Sequence, residues 1–179
     1  MKNNLILLLL LSSFVAHAQT TKKDSLSIYK GKGFSLQYPS QWKLDTSGLM
    51  GSTCFIFAPA DDTQDKFREN VNVVIQDLTG SGIDLEQYKG ITEKQLPSMF
   101  PDSKFDESVI LHTENNTEYY RVSYKFSQGG ANIHITSICF IQDEKAYLAT
   151  FSTEVARYEQ YKTAGEAMLK SFTVKALSK

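Results

Sequence analysis

The sequence contains little cysteine and proline, with two and four residues in 179, and neither sign of charge dominates. Two cysteines are too few for a disulfide-dense scaffold or a four-thiolate zinc site. The 19 basic residues are matched by 20 acidic ones, so the chain lacks the basic excess typical of nucleic-acid-binding domains. The length fits one domain. These absences leave a soluble globular domain without a nucleic-acid partner.

The one long apolar run is confined to the N-terminus and has the three parts of a secretory signal. Lys2 precedes a run of Leu and Ile over residues 5–11, and a small-x-small pattern ends at Ala18. The run is shorter than the roughly 20 residues that a spanning helix needs, and no Cys stands at the cleavage site. We predict a signal peptide over residues 1–18, cleavage between Ala18 and Gln19, and a periplasmic or secreted protein with no membrane span.

The mature chain begins with a polar stretch, residues 19–32, that indicates a flexible leader. A single domain is predicted from 33 to 175. Alternating apolar and polar residues predict a strand over 34–38, and two further apolar segments at 54–58 and 71–75 have the character of buried strands.

After the third predicted strand, apolar residues recur at helical spacing. Asp84 is a good N-cap with Gln87 at the third helical position, and Pro97 is expected to end or kink this helix near Leu96. A second helix is predicted from about 154 to 170, with extended residues after it. Between the helices lie four strand candidates, 105–112, 119–126, 133–141 and 146–151. The breaks between them are too short for crossover helices, which favours an antiparallel meander.

This order of elements predicts an α+β domain, in which an antiparallel sheet of about six or seven strands carries helices on its faces. Two segments also resemble PsbP-like proteins. Residues 33–42, Gly-Phe-Ser-Leu-Gln-Tyr-Pro-Ser-Gln-Trp, resemble the opening of those proteins, where a strand ends in Tyr-Pro and a Trp follows. Residues 168–172, Met-Leu-Lys-Ser-Phe, resemble their closing helix. The resemblance implies an α/β/α sandwich of the superfamily that also holds Mog-type and bacterial DcrB-type proteins.

The resemblance also implies a binding role, because members dock to a larger complex, a small GTPase or a client segment. Export would exclude a GTPase partner. We therefore expect a non-enzymatic, accessory or chaperone-like protein of the cell envelope, with a protein or peptide partner and no cofactor. A purely structural envelope component and a carrier of a small ligand or lipid stay as alternatives.

Aromatic side chains crowd the predicted meander. On its second strand Tyr120 and Tyr124 share one face, while Tyr119 takes the other. Packing against the helices is the simpler interpretation. The alternative is a groove that leaves some rings open to an apolar or peptide ligand. The candidate contacts are the exposed subset of Trp42, Tyr120, Tyr124 and Tyr158.

Catalytic and metal patterns are weak. A periplasmic hydrolase using His112 or His134 with a nearby acid is the competing hypothesis, but His134 and Cys139 are an odd number of residues apart and would point to opposite faces of one strand. Residues 61–65 resemble the start of a calcium loop, yet Lys66 occupies the position that requires Gly. A solvated loop is predicted there, and no metal site.

The two cysteines, Cys54 and Cys139, both lie in predicted strands. An oxidising compartment permits a disulfide between them, and pairing requires Cα atoms within roughly 7 Å. Two buried free thiols are the alternative. The sequence does not show whether the two strands are neighbours, so both interpretations stay open.

Overall fold

A computed structural model of the chain describes residues 25–60 and 67–175. The predicted signal peptide, its cleavage site and most of the acidic loop lie outside these ranges. The first half of the described chain holds β1 (Leu26–Gly31), β2 (Phe34–Pro39), β3 (Lys43–Asp45), β4 (Cys54–Phe57), β5 (Asn70–Asp77) and α1 (Leu85–Met99). The second half holds β6 (Lys104–His112), β7 (Glu118–Gln128), β8 (Ala131–Gln142), β9 (Lys145–Glu154), α2 (Tyr158–Ser171) and β10 (Thr173–Val174).

Seven strands form one antiparallel sheet in the order β3-β4-β5-β9-β8-β7-β6. The predicted meander is confirmed, because β6 to β9 pair with their chain neighbours. Gly129 and Gly130 join β7 to β8 with φ angles of 59° and 84°. Such left-handed angles suit a two-residue hairpin turn and favour glycine.

A second, smaller sheet has the order β1-β2-β10. β1 pairs along its whole length with β2, so the prediction of a flexible leader is wrong for residues 26–31. The prediction failed because most apolar side chains of this strand point to solvent. Leu26 and Ile28 are 62% and 59% exposed, and only the ring of Tyr29 turns inward, where it packs against Phe34. The strand therefore depends on pairing with β2 and has no buried apolar face of its own.

The helices lie on opposite faces of the large sheet. α1 contacts β6 and β7, and α2 contacts β9, β5 and β8 as well as β2 of the small sheet. The predicted cap of α1 is confirmed: Asp84 and Gln87 form a capping box. The helix continues past Pro97 to Met99, beyond the predicted end. Pro97 lies in the last turn and removes only the bond that its own N–H would donate to Glu93.

The two faces of the sheet bury separate cores. The face toward α2 holds the larger cluster, which includes Leu36, Trp42, Ile56, Val73, Phe140, Phe151 and Met168. The face toward α1 holds a smaller one, which includes Leu96, Tyr120, Val122 and Cys139. The fold is thus the predicted α+β sandwich. Within the described ranges, neither helix is long and apolar enough to cross a membrane.

Candidate functional site

A cavity of about 680 Å³ opens between the second half of α2, β10 and one face of β6, β7 and β8. We call it the α2 groove. Its base is formed by apolar side chains from the sheet and from the end of α2, and its rim by the turn between β6 and β7. The volume lies within the roughly 300–1,000 Å³ typical of ligand sites.

Alternation along β7 decides which of its side chains reach the groove. Arg121 stands opposite Ile138 of β8, and both line the cavity. Tyr119, two residues earlier, lies on the same face. Its ring stacks on Phe140 of β8 at a centroid distance of 5.3 Å and an interplanar angle of 27°. Phe140 in turn contacts Phe172 at 6.0 Å.

The three rings differ in access. Phe140 and Phe172 are buried at 6% and 3% exposure, whereas Tyr119 is half-buried. Phe140 therefore supports the ring of Tyr119, and Phe172 packs against Phe140. Tyr119 is the ring of this cluster that is accessible from the groove.

A charged wall adjoins this aromatic base. Arg121 donates from Nε to Glu107 Oε2 at 2.8 Å and from Nη2 to Glu166 Oε1 at 2.7 Å. Burial disfavours the charged guanidinium, but the bonds to Glu166 and Glu107 outweigh that effect and raise the pKa of Arg121 above its ordinary value. The bridge links β6, β7 and α2. It holds one cation between two carboxylates.

Two of the four candidate contact residues, Trp42 and Tyr120, are buried, so the prediction that they contact a partner at the surface is wrong. Trp42 is 5% exposed and packs edge-on against Tyr161 of α2. Tyr120 is 1% exposed, and its hydroxyl shares a 3.0 Å hydrogen bond with Ser108. Both rings are large enough to fill the space between a helix and the sheet, and they belong to the core.

The other two predicted contacts, Tyr124 and Tyr158, are half-buried and lie on opposite faces of the sheet. Tyr124 borders a cavity of about 230 Å³ beneath α1. Tyr158 covers the ring of His134 at 4.1 Å. None of the four predicted residues lines the α2 groove. Tyr119, which does line the groove, was not among the predicted contacts. The alternation along the strand, which places Tyr119 on the face opposite to Tyr120 and Tyr124, was the sequence signal that could have distinguished it.

The cysteines are free and buried. Of the two interpretations, the disulfide is therefore wrong and the pair of buried free thiols describes the structure. Cys54 stands opposite Val73, Val73 opposite Ala149, and Ala149 opposite Ile138. Cys139 follows Ile138 and so lies on the other face of the sheet. Two strands also intervene, which places the cysteines about 14 Å apart at the usual strand spacing, well beyond disulfide reach.

The two histidines occupy distant ends of the meander. His112 ends β6, is exposed as predicted, and pairs with Glu118 at 3.3 Å. His134 is 5% exposed. Its Nε2 shares a 2.8 Å hydrogen bond with Ser123 Oγ and lies 3.4 Å from Asp106 Oδ2. Burial, and then the nearby charge of Lys125, lower the pKa of His134.

This buried cluster does not have the geometry of a catalytic triad. In a triad the acid holds the ring nitrogen remote from the nucleophile. Here Ser123 and Asp106 approach the same nitrogen, and Nδ1 of His134 has no hydrogen-bond partner in the described part of the chain. Nor do those residues contain a group of three or more His, Cys, Asp or Glu side chains arranged to hold a metal ion.

The fold defines a class: a sandwich of an antiparallel sheet and two helices with an open groove on one face. Residues 24–174 match the PsbP family, and the chain belongs to that family. No curated protein shows significant sequence similarity to it.

Solved structures of low identity share the fold. CyanoP, the PsbP protein of Synechocystis sp. PCC 6803, is 16% identical with a TM-score of 0.62, over 89% of this chain and 98% of its own. LpqN of Mycobacterium tuberculosis, described as involved in cell envelope biogenesis, is 13% identical with a TM-score of 0.60, over 87% of each chain. PA94 of Pseudomonas aeruginosa, a protein of unknown function, is 11% identical with a TM-score of 0.60, over 86% and 99%.

Proposed function

We propose that this chain is an exported, non-enzymatic accessory protein of the cell envelope that binds a protein or peptide partner in the α2 groove. The observation that carries the proposal is the groove itself, which combines an accessible ring, Tyr119, with a charged wall around Arg121. Apolar surface beside a few oriented polar groups is the usual composition of a binding site.

Export is supported by the signal pattern of residues 1–18. The envelope role of LpqN, a protein with the same fold, is consistent with that compartment. The buried histidine cluster supports a role without catalysis, because a nucleophile needs a path to substrate. Ser123 is 6% exposed, and His134 is covered by Tyr158.

The cavity beneath α1 is a weaker candidate for the small-ligand alternative. Its volume of about 230 Å³ is below the range typical of small-molecule sites. Buried side chains such as Leu96, Tyr120 and Cys139 line it. The α2 groove has about three times that volume, which suits a chain segment better.

Site-specific photo-crosslinking in the envelope of the source cell tests the proposal. A benzophenone amino acid is placed at Thr117 or Thr173, which are exposed and line the groove. The matched control places it at exposed Lys94 on α1. We expect a discrete adduct from the two groove positions and none from the control. Thr113→Trp, which fills the groove, should abolish the adduct while the circular dichroism stays unchanged.

Two results would contradict the proposed function. One is an adduct of equal yield from Lys94, which would place the partner on another face or show non-specific capture. The other is an adduct from Thr117 and Thr173 that survives the filled groove. Mass spectrometry of the adduct then distinguishes a protein or peptide partner from a lipid or metabolite.

A further inference from the structure

The charges that line the α2 groove do not balance. Among the described residues, three lining carboxylates, Glu107, Glu114 and Glu166, stand against two permanent cations, Arg121 and Lys170. His112 also lines the groove and pairs with Glu118, which lies outside the lining. Arg121 engages one oxygen each of Glu107 and Glu166. The second oxygen of either carboxylate accepts no hydrogen bond from the described side chains, so both retain capacity for a further donor.

The excess carboxylate charge lies beside the accessible aromatic ring. Tyr119 and Arg121 occupy the same face of β7, and Glu107 and Glu166 flank Arg121 from β6 and α2. A cation placed over an aromatic face near a carboxylate gains from both groups. The base of the groove therefore suits a Lys or Arg side chain, whose apolar stem can lie on Tyr119.

The opposite wall offers backbone groups. Lys175 donates its N–H to the carbonyl of Gly33 at 2.9 Å, and Val174 stands opposite Phe34 of β2. Because backbone groups alternate in direction along a strand, the N–H and C=O of Val174 point away from β2. Val174 lines the groove. An extended peptide can pair with this edge, as in strand addition.

We propose that the α2 groove selects a basic, extended peptide segment, in which a Lys or Arg neighbours an apolar residue. The cation contacts Glu107, Glu166 and the ring of Tyr119, and the peptide backbone pairs with Val174. This proposal rests on the proposed function and specifies the chemistry of its partner.

The test measures binding of three synthetic heptapeptides to the mature protein by fluorescence anisotropy. All are N-acetylated and C-amidated and alternate Val or Phe with one variable residue, which is Lys, Gln or Glu. We expect the Lys peptide to bind about tenfold more tightly than the Gln peptide and the Glu peptide to bind weakest. The preference should shrink as NaCl is raised, because salt screens exposed charges.

Isosteric variants identify the groups responsible. Glu107→Gln and Glu166→Gln should each weaken binding of the Lys peptide more than binding of the Gln peptide, so that the ratio of the two affinities falls about fivefold. The matched control is Glu159→Gln, which removes the same charge from α2 at a side chain that is 84% exposed and outside the groove lining. It should leave all three affinities unchanged.

Equal affinity for the Lys, Gln and Glu peptides would overturn the proposed selectivity, and so would equal losses in the Glu166→Gln and Glu159→Gln variants. Absence of binding by every peptide would also overturn it. The proposed function has a separate readout. If crosslinking from Thr117 and Thr173 persists while the peptide preference fails, the groove binds a partner of different chemistry. If crosslinking fails as well, the proposed function fails with it.

Discussion

Arg121 on β7 donates a 2.7 Å hydrogen bond to Glu166 on α2, and this contact connects the sheet to the helix that forms the groove wall. Arg121 is 20% exposed and Glu166 is 30% exposed, so water screens the pair only in part. A second carboxylate, Glu107 on the edge strand β6, completes the bridge. One guanidinium thus fixes three elements around the groove.

Loss of the guanidinium should destabilise the protein. Arg121→Met keeps an apolar stem but leaves Glu107 and Glu166 side by side without their cation. We expect the free energy of unfolding to fall by about 1–3 kcal/mol, which is less than for a fully buried pair. Urea denaturation measures it. Lys125→Met removes an exposed pair with Asp106 and should cost less than about 1 kcal/mol. Equal losses in both variants would contradict the importance of the bridge.

The stability should depend on pH through His134. Its pKa is lowered in the folded protein, first by burial and then by Lys125, so the unfolded chain binds protons more readily as the pH falls. Unfolding is then favoured by acid: stability is fully retained above about pH 6.5 and declines below it. Urea midpoints between pH 7.5 and 5.5 measure the slope. His134→Gln should flatten it, whereas His112→Gln at the exposed end of β6 should retain it.

Close packing of α2 on the sheet should make Gly165 intolerant of a side chain. A Cβ at Gly165 would lie 2.5 Å from the ring of Phe151, which is fully buried. Gly165→Ala should therefore lower the free energy of unfolding by about 1–3 kcal/mol. Gly90 of α1 has no atom within 4 Å of such a Cβ. Gly90→Ala should raise stability by about 0.5–1 kcal/mol through helix propensity, and a loss there would show that α1 is more tightly packed.

The two thiols should stay unpaired and unreactive in the native protein. Burial raises the pKa of both Cys54 and Cys139 to about 12, and the thiolate is the reactive form. At pH 8, Ellman's reagent should therefore detect no rapidly reacting thiol in native protein and two in urea. A non-reduced sample that yields no thiol in urea would instead show a disulfide.

The long elements of the fold were predictable because their signals are local. Asp84 and Gln87 are three residues apart and form the cap that their spacing indicates, and the meander follows from alternation between short turns. The central strand of the small sheet, β2, was also predicted from its alternation, but the pairing within that sheet carried no such signal. Its outer strands, β1 and β10, pair with β2, and Thr173 bonds Ser35 across 138 residues. No local pattern encodes that pairing.

The groove likewise combines a feature that the sequence predicts with one that it does not. The sequence by itself determined that Tyr119 and Tyr120 point to opposite faces of one strand, because side chains alternate along extended backbone. Only the tertiary structure decided which face stays open. The α1 face buries Tyr120 at 1% exposure, whereas α2 and β10 leave a gap above Tyr119. Accessibility depends on how a distant helix packs, and that is set by the shape of the whole core rather than by the residues of the strand.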